Sequence, residues 1–146
     1  MDDRQLLAEA LSEAKLGLAE GGLPIGSVLA DSAGRIVARG HNLRVQTTDP
    51  TAHAEIVALR NAGRRRDWSR LTLISTLSPC AMCTGAALLL RFERVIVGDN
   101  VNLRGPENWF REASVPLTIL NDDVCMGLMR AFIAAHPDLW HEDIGD

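Results

Sequence analysis

Four residues in two short segments, His53-Ala54-Glu55 and Pro79-Cys80-Ala81-Met82-Cys83, are of types that together can hold a metal and move a proton. Imidazole and thiolate are preferred zinc donors, and a structural zinc site is closed by four protein ligands. A Cys-x-x-Cys pair alone also fits a redox dithiol or half of such a closed site. This chain offers three good donors, His53, Cys80 and Cys83, which leaves the fourth position to water. His53 and Glu55 are two apart, so at the start of a helix they point in different directions and only one can face the ion squarely. The histidine ligates and the glutamate stands beside it. Cys80 and Cys83 are three apart, which on a helix puts both sulfurs on one face. A zinc ion with two thiolates and an imidazole is close to neutral, so ionisation of its water is helped by a nearby base. Glu55 is that base, and the set amounts to a hydrolytic site.

The elements that must position these groups can be read from the flanking sequence. Asp49-Pro50 reads as an N-cap and first-turn proline for the helix carrying His53, and Ser78-Pro79 as the same arrangement before Cys80. Upstream, Leu6, Leu7, Ala10, Leu11, Ala14 and Leu18 recur at helical spacing until Gly21-Gly22. Segments 25–30 and 36–39 read as strands of a hairpin turning through Asp31-Ser32-Ala33-Gly34. Segment 71–76 reads as a buried strand leading into the cysteine helix, and segment 94–98 as the next strand, a strand-helix-strand crossover. A short helix at 107–112, a strand at 116–120 and a helix at 122–135 follow. The order predicts an α/β protein: a three-layer α/β/α sandwich around a five-stranded mixed sheet, with the site at strand-to-helix junctions.

Composition narrows the class. At 146 residues, 47% hydrophobic and 23% charged, residues 1–146 suit one soluble zinc-site domain with a sizeable core. The N-terminus has neither a signal-peptide core nor an apolar run able to span a bilayer, so no membrane is expected and the location expected is cytoplasmic. Three cysteines, two of them in the metal pattern, agree with a reducing compartment. Cys125 lies among Met126, Leu128 and Met129 and reads as core rather than as a fourth ligand.

The His-x-Glu and Pro-Cys-x-x-Cys pair is the pattern of the zinc deaminases. The chain resembles the cytidine deaminase fold superfamily over nearly its whole length, most closely its fungal-type cytosine deaminases. The resemblance is carried by Gly21-Gly22-Leu23-Pro24-Ile25-Gly26, Gly40-His41-Asn42, Thr76-Leu77-Ser78-Pro79-Cys80, Gly98-Asp99-Asn100-Val101-Asn102 and Trp140-His141-Glu142-Asp143-Ile144-Gly145. It implies Zn2+ as cofactor, a homodimer, and hydrolytic deamination of a small free nucleobase, cytosine first, in pyrimidine salvage. Glu55 would carry protons from water to a ring nitrogen and then to the leaving amine. Asn42 would hold the pyrimidine edge and Asp143 would accept from the exocyclic amine. Ile25, Ala54 and Leu77 would line the ring, and Trp140 would close over it. Asn42 offers an acceptor and a donor pair, suited to a carbonyl beside a ring N–H, while an ionised Asp143 only accepts. Read singly, Asn42 could equally cap a turn and Trp140 anchor the C-terminus. The backbone amide at Cys80 or Ala54 is a further candidate contact.

One position departs from the resemblance. The aromatic residue expected after Val101-Asn102 is Leu103 here, which cannot stack on a base, so a modified pyrimidine, a triazine, creatinine or a purine also becomes a possible ring. Trp109 or Phe110 could supply the missing ring, with packing the alternative use. The segment from Asp49 to Arg60 is equally similar to tRNA adenosine deaminases and bacterial guanine deaminases. Arg60, Arg64, Arg65, Arg66 and Arg70 could neutralise phosphates, but the net charge of −4, the pI near 5.5 and the acidic tail argue against nucleic acid. A silent binding module would have lost the glutamate or a ligand, and neither is lost.

Overall fold

The computed structural model describes residues 1–146. Helix α1 (Asp3–Ala19) is opened by a capping box, Asp2 and Gln5 each accepting from the other's backbone N–H at 2.8 Å. Strands β1 (Gly26–Ala30) and β2 (Ile36–His41) form the expected antiparallel hairpin. Asp31 accepts from the backbone of Ala33 and Arg35 in its turn, and Gly34 takes the φ of +78° that the turn requires. Then come α2 (Arg44–Thr47), α3 (Ala54–Ala62), β3 (Thr72–Ser75), α4 (Ala81–Leu90), β4 (Arg94–Val97), α5 (Glu107–Glu112), β5 (Leu117–Ile119), α6 (Asp123–Ala135) and α7 (Pro137–Ile144). The sheet order is β2-β1-β3-β4-β5, with β3, β4 and β5 parallel and β1 antiparallel to both of its neighbours.

Alternation along the strands divides the core into two layers. Leu29, Leu73, Val95 and Val97 face Ala58 of α3, Ala87 of α4 and Phe110 of α5. Val28, Ala30, Ile74 and Ile96 face Leu6, Leu7 and Ala10 of α1 and Cys125 of α6. Helices therefore cover both faces, giving the three-layer sandwich expected of the sequence. A third cluster, Leu23, Ile25, Ala54, Leu77, Met129, Phe132 and Trp140, joins α6 and α7 to the end of the sheet where β3 runs out.

The helix starts correct the sequence reading. Helix α3 begins at Ala54 with His53 as its extended cap residue, and α4 begins at Ala81 with Cys80 in that position. Asp49 and Ser78 are not caps because other partners take them. Asp49 accepts from the N–H and hydroxyl of Thr51 and pairs with Arg60, while the Ser78 hydroxyl donates to Glu107 and accepts from Gly105 N–H. Helices α2 and α7 were not anticipated from sequence, and both carry pocket residues or their neighbours. No helix is long and apolar enough to cross a membrane.

Candidate active site

Strand β3 ends at Ser75, and the chain passes through Thr76-Leu77-Ser78-Pro79 before Cys80 enters α4. His53 stands at the start of α3 beside it. Neither residue bends its side chain back to cap its own helix, and both groups project into the same space. His53 Nδ1 lies 3.5 Å from Cys80 Sγ, and the donor atoms of His53, Cys80 and Cys83 lie within 4.8 Å of one another. A tetrahedral zinc ion with bonds of about 2.3 Å to sulfur and about 2.05 Å to nitrogen separates those atoms by about 3.6 Å, so the triad fits that ion. Nδ1 is then the nitrogen turned to the metal position, and Nε2 faces Asp143 Oδ1 at 3.6 Å. Neither helix has a side-chain cap bond, so the first N–H groups of α3 and α4 present their positive ends at this corner.

The electrostatics follow from crowding. The contact with Cys83, aided by His53 and opposed by burial, holds the Cys80 thiol down at about 4, the thiolate form that binds metal. Cys83, bonded to that thiolate and buried, is pushed up. Burial opposes charge on His53, yet Cys80, Asp143 and Glu55 hold its pKa at about 9. Burial also pushes the Glu55 carboxyl up, with Cys83, Ser75 and His53 pulling the other way. Asp143 is raised by burial too, opposed by His53, Asn42 and Arg44.

The pocket around these groups is small, and Ile25, Asn42, His53, Ala54, Glu55, Leu77, Ser78, Cys80, Leu103, Asp143 and Ile144 line it. It opens through a shallower depression that shares His53, Cys80, Leu103, Asp143 and Ile144. The expected set thus comes together with one exception. Cys83 reaches the site through the donor triad, but Trp140 does not line the pocket. Only 5% exposed, it packs with Ile25, Leu77 and Leu103 in the third core cluster, because α7 turns the indole inward and sends Asp143 and Ile144 toward the pocket. Nor does an aromatic ring from α5 replace the one absent at Leu103. Phe110 is buried in the core under β5, and Trp109 is exposed.

Sequence reasoning missed three participants. Ser75, wholly buried, donates to Glu55 Oε1 at 2.6 Å. Ile144 forms part of the wall, and helical spacing from Trp140 could have found it. Glu107, 3% exposed, accepts from Ser78 and Asn100 and so ties the cysteine loop to the loop carrying Leu103. Asn42 Nδ2 donates to Asp143 Oδ1 at 2.8 Å, and Arg44 N–H donates to Asn42 Oδ1 at 3.0 Å. That leaves Asn42 one amide proton and one acceptor position for another partner.

The sequence pattern of the cytidine and deoxycytidylate deaminase zinc-binding region matches residues 1–99. The chain belongs to this family. Zinc is accordingly the cofactor of this deaminase, and hydrolytic deamination its chemistry. It is 45% identical over 147 residues to a cytosine deaminase of Candida albicans, covering 99% of this chain and 98% of that one. It is 44% identical over 99 residues to a tRNA-specific adenosine deaminase of Haemophilus influenzae, covering 66% of this chain and 57% of the relative. Among solved structures, a guanine deaminase from Nitrosomonas europaea superposes with a TM-score of 0.77 at 24% identity over 88% of this chain and 83% of that one, which bears on the fold alone.

Proposed function

We propose that this deaminase hydrolyses the amino group from a small free nucleobase, cytosine first, releasing ammonia. The observation that carries the reading is the facing of the donor triad and Glu55 by the Asn42–Asp143 pair across one small pocket. Likeness to the Candida albicans cytosine deaminase over nearly the whole chain supports the ring. Zinc would be held by His53, Cys80 and Cys83, and would supply the Lewis acidity that lowers the pKa of water. Glu55, kept available for a proton by burial, accepts one from the attacking water. It passes that proton to the ring nitrogen beside the amine-bearing carbon, then takes the second proton from the newly added hydroxyl and gives it to the amine as the carbon–nitrogen bond breaks, so that water and amine are exchanged for carbonyl oxygen and ammonia. Asn42 uses its remaining proton on the ring carbonyl and its remaining acceptor position on the adjacent ring N–H, an edge that a nucleoside blocks with its sugar. Asp143 accepts from the exocyclic amine. Ile25, Ala54, Leu77, Leu103 and Ile144 enclose the ring, with Trp140 packed among them.

Leu103 favours a second reading within the same chemistry. A leucine in place of a stacking ring leaves room for a wider heterocycle such as guanine, creatinine or an amino-triazine. A tRNA substrate has less support, since Arg60 and Arg65 are engaged by Asp49 and Asp67 and the net charge is −4. Residues 1–146 would act as one catalytic domain, cytoplasmic as their free cysteines suit, in pyrimidine salvage. The chain would pair as a homodimer, for which helix α4 offers an exposed apolar face that includes Met82 and Leu89. Ammonia release from cytosine, 5-methylcytosine, cytidine, guanine, adenine, creatinine and amino-triazines, with Glu55→Gln as blank, tests the substrate. Preference for cytosine over cytidine is expected. Silence on cytosine with turnover of another ring would move the substrate to that ring.

A further inference from the structure

Arg44 has no place in the chemistry above, yet it is built into the site from two sides. It follows Asn42 by two residues on the four-residue helix α2, and only 11% of its side chain is exposed. Its backbone N–H donates to Asn42 Oδ1 at 3.0 Å, which fixes which end of that amide turns toward Asp143. The guanidinium then crosses to α7. One terminal nitrogen donates to the Glu142 carbonyl at 2.6 Å and lies 3.7 Å from Asp143 Oδ1, while the other lies 3.6 Å from Glu142 Oε1. The same Asp143 oxygen accepts from Asn42 Nδ2 at 2.8 Å, so backbone and side chain of one residue brace both members of the pair.

Stability alone does not account for this residue. Arg44 Nε is buried and has no partner, a state that costs free energy and that an aliphatic side chain of similar length would avoid. What the guanidinium does, and an aliphatic chain cannot, is hold the Asp143 carboxylate and the backbone just before it in one orientation. A planar fork reaching a carbonyl, a carboxylate and a neighbouring acid at once is the geometry for which arginine differs from lysine.

We infer that Arg44 is the positioning residue for amine recognition: its side chain aims Asp143 at the exocyclic amine, while its backbone N–H independently sets Asn42 on the carbonyl edge. The inference rests on the proposed roles of Asn42 and Asp143, and it makes a division those roles alone do not. Removing the side chain should harm recognition of the amine and spare recognition of the rest of the ring. A carboxylate that is aimed accepts from an amine and repels a carbonyl oxygen at the same place, so the selectivity between substrate and deaminated product is the quantity that Arg44 controls.

The test is calorimetric binding of cytosine and of uracil to zinc-loaded Glu55→Gln protein, with and without Arg44→Met. The Glu55→Gln parent should bind cytosine more tightly than uracil. Adding Arg44→Met should weaken cytosine about tenfold or more, the scale of one charge-assisted hydrogen bond, and change uracil by less than about threefold, at unchanged zinc content. Arg44→Lys, which keeps the charge and loses the fork, should give an intermediate ratio, and it carries the test if the methionine variant does not fold. Equal weakening of both ligands, or an unchanged ratio, would overturn the inference and leave the proposed function standing. A parent that does not prefer cytosine to uracil would overturn both.

Discussion

Replacing Ser75 by alanine removes one oxygen from a site where it has a single task. The hydroxyl is wholly buried at the end of β3 and donates to Glu55 Oε1 at 2.6 Å, and Glu55 itself is 4% exposed. A hydrogen bond to a charged group contributes about 1.5–3 kcal/mol, whereas one between neutral groups contributes about 1 kcal/mol. The near-isosteric exchange leaves little cavity, so the loss is almost all polar. At about 2.1 cal/mol/K of unfolding entropy per residue, a chain of this length loses about 3 °C of Tm per kcal/mol. Ser75→Ala should therefore lower the Tm of the zinc-loaded protein by about 6 °C. The same change in a Glu55→Gln background should lower it by only about 3 °C, because the partner is then neutral. Ser75 is also one of the groups that pull the Glu55 pKa down against burial, so its removal pushes that carboxyl higher still. A carboxyl raised further is ionised less of the time, and only the ionised form takes a proton from water, so kcat/KM should fall about tenfold or more at neutral pH. Melting curves of the four proteins, zinc content and ammonia release decide the matter. Equal Tm losses in both backgrounds, with kcat/KM within about twofold of the parent, would refute a functional Ser75–Glu55 bond.

Three further outcomes follow from other contacts. A Cβ added at Gly105 would lie 1.7 Å from the Pro79 carbonyl oxygen, so Gly105→Ala must push the Leu103 loop off the cysteine loop, and turnover should drop at least tenfold by steady-state assay; full activity would mean that the two loops move independently. Cys83→Ala leaves two donors of three, and metal analysis after dialysis should find zinc lost while it is retained by the parent. The backbone N–H of Arg35, aided by that of Ala33, holds the Asp31 carboxyl below the ordinary carboxylate range. Its stabilising effect is present above the unfolded pKa and is lost as pH falls through the lower folded one, so the Tm gap between parent and Asp31→Asn should be widest near neutrality and close as the pH falls below the ordinary carboxylate range. A gap that persists in acid would assign the effect to something other than the charge.

The sequence made the sheet readable because each strand has to satisfy two layers at once. The alternation Val28/Leu29 and Ile74/Leu73 divides those residues between the two core clusters, and no one-residue slip preserves that division. The donor triad was readable for a related reason, since zinc restricts residue type and number. Ser75 was not. A serine at the end of an apolar strand looks like the strand's terminus until Glu55, twenty residues earlier in the chain, is seen opposite it. Asn42 and Asp143 are 101 residues apart, and nothing local in either segment requires their contact. Helix α7 is an intermediate case. Its segment is mostly polar, which hides the periodicity, but Pro137 in its first turn and Gly145 with φ of +79° just past its end are the punctuation of a short helix.

The misread helix starts show how local rules are overridden at a site. Asp49 and Ser78 have the side chains that cap helices, and each precedes a proline, so propensity alone begins both helices too early. Long-range partners engage those side chains instead, Arg60 for Asp49 and Glu107 with Gly105 for Ser78, and the helices begin at the residues after the metal donors. His53 and Cys80 are poor caps, and their use at those positions leaves the first N–H groups of α3 and α4 without side-chain acceptors. Filled by serine or aspartate, those helix ends would be more stable and electrostatically closed. Left open, two positive helix ends converge at this corner, an arrangement that favours a thiolate there and, on the proposed reaction, would favour the negative charge that develops as water adds to a ring.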